Sequence, residues 1–331
     1  MRAATIGRLS SRGLSLAFAA LAAALMLAAC GGGGDEDGTN TTAAPGRNTT
    51  TAGVQGTSQP TDSGGIENQT FTIGEHFFHS GFRVDVTEGE IVTTEATLGR
   101  DASTSLILTA TLENRGDDTG YFGPDLAIST ANNSYSQSFA SNNDDTPGGL
   151  KTQATFDFRI DENFDLATAE LIVGRSDESR ARIPLSGGGD AVRLEPSEPA
   201  ITGVLSMPLI DLEFTSATLA YDLPNRHRQM DEGKQALTLY FDAVSRKGGN
   251  WNIFPDNLVL VLPDGTSLAA DDADAYGLPG SDEGSTTPDQ WVRFVVDESL
   301  SGDLAIVLTP GQWFLADDGV TEGTFEFTLA P

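Results

Sequence analysis

From Phe71 onward, apolar and polar positions alternate with a period of two, the pattern of strands that bury one face. Phe82, Val84 and Val86 alternate with Arg83 and Asp85. Leu106, Leu108, Ala110 and Leu112 alternate with Thr109, Thr111 and Glu113, and Phe156, Phe158 and Ile160 with Asp157, Arg159 and Asp161. Turn residues punctuate the runs at Glu113-Asn114-Arg115-Gly116, Thr146-Pro147-Gly148-Gly149 and Ser186-Gly187-Gly188-Gly189. No window of twelve or more residues in this part of the chain carries a helical stripe. Short strands at this spacing without helices predict an all-β chain built as β-sandwiches.

The second half repeats the first. Ile210-Asp211-Leu212-Glu213-Phe214-Thr215 reproduces Phe82-Arg83-Val84-Asp85-Val86-Thr87, and Leu237, Leu239 and Phe241 reproduce Leu106, Leu108 and Ala110. Pro255-Asp256 before Leu258 matches Pro124-Asp125 before Leu126, and Phe294-Val295-Val296-Asp297-Glu298 matches Phe158-Arg159-Ile160-Asp161-Glu162. A period near 130 residues is too long for a solenoid repeat and suits tandem domains. The expected organisation is a first β-sandwich over 66–186, a Gly/Pro/Glu-rich linker over 187–205, and a second sandwich over 206–331. Each carries its own alternating faces and is expected to fold alone.

The amino-terminal pattern differs. Arg2, Arg8 and Arg12 precede an apolar run from Leu14 to Leu27 that contains no acid. A run of about 14 residues is short of the roughly 20 that a spanning helix needs. Four glycines follow at once, Gly31 to Gly34. Basic, apolar and small-residue regions in this order describe a secretory signal. It ends in Leu27-Ala28-Ala29-Cys30, and Cys30 is the single cysteine of the chain. That tetrad resembles a bacterial lipobox. The resemblance implies that residues 1–29 are removed, that Cys30 carries a diacylglycerol, and that the protein is anchored at the outer face of the cell membrane. Residues 30–65 are Gly, Thr, Ser, Asn, Pro and Asp with little apolar content, so a disordered tether is expected, with an r.m.s. span of about 30 Å.

Charge narrows the partners. The chain has a formal net charge of -29, and removal of residues 1–29 leaves 16 Lys and Arg against 48 Asp and Glu. A nucleic-acid partner is therefore not expected, because phosphate binding needs a basic footprint. A salt-adapted organism would give the same acidity without functional meaning. With Cys30 taken by lipid no disulfide can form, so hydrophobic burial has to hold the exported domains together.

Candidate chemistry is sparse. There is no Gly-x-Ser-x-Gly elbow, His-Glu-x-x-His pair or phosphate-cradling Gly loop, so no catalytic residue, metal or cofactor is expected. His76 and His79 stand three apart on a strand and would face opposite sides. His227 reads as part of a polar turn. Asp271, Asp272 and Asp274, with Asp282 and Glu283 shortly after, form the densest acidic loop, expected to be a long mobile excursion without metal. A calcium site there is the alternative. Trp251, in Gly249-Asn250-Trp251-Asn252, is a candidate contact for a sugar or partner protein, with Asp271, Asp272 and Asp274 as further candidates. Trp291 and Trp313 lie within or just before strand-like apolar runs and read as core.

One family likeness stands out. Ile73-Gly74-Glu75-His76-Phe77, then Ser80 to Val86, Leu112-Glu113-Asn114-Arg115-Gly116 and Phe156 to Ile160 resemble the immunoglobulin-like "immunoprotective extracellular" domain of Gram-positive surface lipoproteins, mostly of unknown function. The likeness covers residues 71–185 well and 207–331 more loosely, since Ser245-Arg246-Lys247 replaces Glu-Asn-Arg before the glycine. It implies tandem immunoglobulin-like sandwiches and supplies no catalytic residues. The expected function is a non-enzymatic binding or adhesion module of the bacterial envelope, a monomer held to the membrane through Cys30, with an envelope protein or glycan as partner. The alternatives are a structural spacer or assembly partner of an exported complex, and a calcium-stabilised module or hydrolase with scattered carboxylates.

Overall fold

The computed structural model describes residues 66–138, 143–187, 189–247, 253–273, 282–309 and 322–330. Every strand pairing among them is antiparallel, and the helical elements are single 3-10 turns. The first half holds β1 (Gln69–His79), β2 (Phe82–Thr94), β3 (Ser103–Asn114), β4 (Leu126–Ser129), β5 (Ser134–Ser136), β6 (Lys151–Ile160), β7 (Glu170–Val173) and β8 (Ala181–Pro184). They form two sheets, ordered β1-β2-β3-β6 and β5-β4-β7-β8. β1 and β2 meet in a two-residue turn, Ser80 at φ 49° and Gly81 at φ 84°; two positive φ values are what a type I′ hairpin requires. The alternating residues face one shared core. Phe82, Val84, Leu106, Leu108, Phe156 and Phe158 from one sheet are fully buried with Ile128, Leu171, Val173 and Ile183 from the other.

The second half holds β9 (Gly203–Ser206), β10 (Ile210–Ala220), β11 (Asp222–Leu223), β12 (Arg228–Gln229), β13 (Lys234–Ser245), β14 (Leu258–Val261), β15 (Ser267–Ala269), β16 (Asp272–Ala273), β17 (Thr286–Asp297), β18 (Gly302–Leu308) and β19 (Gly323–Leu329). Its sheets run β16-β17-β13-β10-β9 and β15-β14-β18-β19. They enclose a second core that includes Leu212, Leu237, Leu239, Phe241, Val292, Phe294 and Ile306.

The two halves agree down to register. Leu106 lies opposite Phe158 on β3 and β6, and Leu237 opposite Phe294 on β13 and β17. The β2–β3 register shifts between Val86 and Glu88, and the β10–β13 register between Phe214 and Ser216. Each bulge carries a threonine that bonds across it. Thr87 Oγ1 donates to the Thr109 carbonyl at 3.2 Å, and Thr215 Oγ1 to the Tyr240 carbonyl at 3.4 Å. Among the described residues the second half is distinguished by the β11–β12 hairpin in the β10–β13 connection, and its edge strand β16 stands where the first half has a single bridge, Gln137 to Phe158.

That hairpin docks on the first half. The Asp222 carboxylate is buried and accepts from Gly81 N at 2.7 Å and Arg115 Nη1 at 3.3 Å. Gln229 Oε1 accepts from Ser80 N at 2.9 Å, while its Nε2 donates to the Ser179 carbonyl at 3.0 Å. Pro224–Arg226 form a single 3-10 turn that ends at His227, φ 45°. The turn is polar as expected, with Asn225, Arg226 and Arg228 exposed, and the His227 ring packs on Phe82 at 5.5 Å. Close approach is possible because Gly120 has no side chain: a Cβ there would lie 2.3 Å from the imidazole. Gly81 and Gly116 similarly leave room for the Pro224 backbone. The segment expected to act as linker is also tied down. Leu194 enters the first core, Ile201 the second, and Ser197 bridges Leu219.

Candidate functional site

The site lies on the outward face of the β16-β17-β13-β10-β9 sheet, against the docked hairpin. Strand parity builds it. On β17, Val292, Phe294 and Val296 point into the core, so Trp291 and Arg293 face away from it. On β13, Leu237, Leu239 and Phe241 point inward, leaving Thr238 and Tyr240 outward. Register then sets Tyr240 directly opposite Trp291, and Thr238 opposite Arg293. Thr218 lies opposite Thr238 on one side, and Asp272 opposite Arg293 on the other. Trp291 is half-buried and stands outside the core cluster, which corrects its reading as a core residue.

Arg293 is the centre of this surface. Its guanidinium sits 4.9 Å from the Trp291 ring centroid, Nη2 donates to Asp272 Oδ2 at 2.9 Å, and Nε lies 3.5 Å from Asp271 Oδ2. Arg226, from the docked turn, also bonds to Asp272 Oδ2. Burial, and after it the neighbouring Arg226 cation, pull the Arg293 guanidinium below its ordinary value; Asp272 and Asp271 oppose this. Burial also pushes the Asp222 carboxyl up, against the pull of Arg115. The result is a cleft of about 570 Å³, walled by Arg115 and Asp117 of the first half, Pro196 and Glu198 of the connecting segment, and Asn225 and Arg226 of the turn.

Other depressions carry less chemistry. One of about 600 Å³ over β4, β5 and β7 is lined by Asp125, Gln137 and Arg180 beside Ala, Ser, Leu and Ile, with no aromatic ring. One of about 390 Å³ lies over the sheet of the first half that corresponds to the site and also lacks an aromatic. A third, of about 290 Å³, includes His79, Ser80 and His227. Here Ser80 Oγ lies 3.0 Å from His79 Nδ1, but no group orients the buried His79 Nε2, so the pair lacks the third member of a nucleophilic triad. Burial lowers His79 to about 4.

The sequence-derived candidates distribute unevenly. Asp272 lines the cleft and lies in β16, and both it and Asp271 face Arg293, so these two acids are tied down, while 274–281, where the rest of the expected acidic excursion falls, lie outside the described residues. Like charges are relieved here by arginine. Asp282 and Glu283 are exposed. His76 packs edge-on to Phe78 at 5.9 Å. Among the described residues, no three His, Cys, Asp or Glu groups converge as a metal centre, and no helix is long and apolar enough to cross a membrane. Cys30, Trp251, Asp274 and Trp313 lie outside the described residues. Sequence reading missed Trp291, Arg293, Tyr240 and Arg226. The available signal was parity, since Trp291 and Arg293 share the phase opposite to Val292, Phe294 and Val296.

No family model and no curated protein matches the chain. Among solved structures, the crystal structure of the conserved domain protein from Bacillus anthracis aligns over 78% of this chain and 90% of its own length, at 13% sequence identity and a TM-score of 0.24. A score that low does not assign a shared fold.

Proposed function

We propose that this chain is a lipid-anchored, extracytoplasmic, non-enzymatic binding module of the bacterial envelope, with two tandem immunoglobulin-like β-sandwiches and recognition in the cleft of the second. The observation that carries the reading is the outward row of Tyr240, Trp291 and Arg293, walled by Arg226 and Asp272. Aromatic and arginine side chains held on paired strands are pre-ordered for contact, so less ordering entropy opposes binding. The basic, apolar and Leu27-Ala28-Ala29-Cys30 order supports export and anchoring. The acidic composition supports a partner other than nucleic acid.

A spacer role is the second reading. The buried Asp222 and Gln229 contacts favour it, because they couple the halves into a stiff unit. Two experiments separate the parts. Fatty-acid labelling is expected to mark the wild type and not Cys30→Ser; equal labelling of both removes the anchor. Retention of envelope material by the wild type, lost in Trp291→Ala, favours binding through the cleft. Retention unaffected by Trp291→Ala favours the spacer.

A further inference from the structure

We propose that the cleft takes a neutral oligosaccharide, an assignment that rests on the binding-module reading and narrows it to a ligand class. Charge is the first argument. Arg115, Arg226 and Arg293 line the cleft with Asp117, Glu198, Asp222 and Asp272. Each arginine is already paired, Arg115 with Asp222, and Arg226 and Arg293 with Asp272. An anionic ligand therefore meets no unmatched cation, inside a chain of net charge -29 that repels it. Beside the rings, a cationic ligand would have to displace Arg226 or Arg293 from Asp272, since the lining carboxylates without an arginine partner, Asp117 and Glu198, are exposed at the rim. A neutral ligand does neither.

Geometry is the second argument. A guanidinium that donates from several N–H groups, beside a carboxylate that accepts at two oxygens, offers adjacent donors and acceptors. Vicinal hydroxyls of a sugar are donors and acceptors at the same spacing. Arg226, Asp272 and Arg293 are held in that arrangement by each other, and Thr238 adds a hydroxyl in the same cross-strand row. The apolar edge of a pyranose needs an aromatic surface, and Tyr240 and Trp291 stand side by side on the adjacent row. At about 570 Å³ the cleft falls in the range of small-ligand sites and admits a short oligosaccharide. The corresponding positions of the first half are Thr109 and Thr155, directly opposite one another, which provide no ring.

The test applies the detergent-solubilised full mature protein to an array of immobilised neutral and acidic oligosaccharides. Binding to one or more neutral glycans is expected. At least a tenfold loss of affinity is expected in Trp291→Ala and in Tyr240→Ser, with Thr155→Ala on the first half unchanged. Each variant is checked by thermal melting; Tyr240→Ser carries the result if Trp291→Ala fails to fold. Binding to acidic glycans alone, binding to none, or binding that both variants retain would overturn the assignment. A parallel pull-down from envelope extract keeps the two levels apart. Retained protein that is lost in Trp291→Ala, with the array blank, defeats the glycan and leaves the binding module standing. Nothing retained and nothing bound defeats both.

Discussion

The sheets β1-β2-β3-β6 and β9-β10-β13-β17 pair their strands in the same order, share a bulge at the same place, and bury matching pairs, Leu106–Phe158 and Leu237–Phe294. Their outward faces differ completely. Where the first has Thr109 opposite Thr155 and Ile107 opposite Asp157, the second has Tyr240 opposite Trp291 and Thr238 opposite Arg293. The second is flanked by β16 and by Pro224 to Arg226 of the docked hairpin, where the first has the single bridge of Gln137 to Phe158. Inward positions are constrained by packing, while outward positions and connections are free to acquire chemistry. The candidate site thus lies on one of two similar scaffolds.

The comparison predicts, first, equal dependence on the shared core. Phe158→Ala and Phe294→Ala are each expected to cost about 3–5 kcal/mol, by chemical denaturation, because both rings are fully buried. A loss below about 1 kcal/mol at one and not the other would break the equivalence.

A second difference is titratable. His79 precedes β2 where Met207 precedes β10. Burial holds His79 at about 4 in the fold, against 6.5 for a solvated imidazole in the unfolded chain. Below pH 6.5 the unfolded chain binds a proton that the native state refuses. Stability is therefore full above 6.5 and falls as the pH drops toward 4, by roughly 3 kcal/mol over that window. His79→Met is expected to remove this part of the acid sensitivity, leaving the contribution of the carboxylates. Identical pH profiles for wild type and His79→Met would contradict it.

The junction gives a smaller effect. Gly120→Ala drives a methyl into the His227 ring and is expected to cost about 1–3 kcal/mol. His227→Ala is expected to relieve most of that cost when the two are combined, since the clash is with that ring. Additive losses in the double variant would show that the glycine matters for another reason.

The smallest expected stability effect is on the outward row itself. Replacing Tyr240 and Trp291 by the threonines of the first half changes a half-buried cross-strand pair outside the core, a matter of about 1 kcal/mol.

This gradient parallels what could be read in the chain. The period-two runs at Phe82–Val86, Leu106–Leu112 and Phe156–Ile160 are buried with the parity their alternation implies. Burial of one face leaves a local periodic trace, so the strands and both cores were legible. The site was only partly so. Asp271 and Asp272 stood out as acids, yet nothing local indicates that Arg293 and Arg226 neutralise them. Arg115 and Asp222 are 107 residues apart, and Gly120 meets His227 only across the junction. Contacts of that kind involve single polar residues without period. Trp291 was hidden by its neighbours, because Val292, Phe294 and Val296 make the whole run look apolar.

The central claim is that recognition resides on the outward face of the second copy. The most direct test is affinity for envelope material of the full mature protein and its Tyr240→Thr/Trp291→Thr variant, with melting temperatures measured alongside. The account predicts at least a tenfold loss of affinity with little change in melting temperature. Unchanged affinity in a variant that melts like the wild type would contradict it.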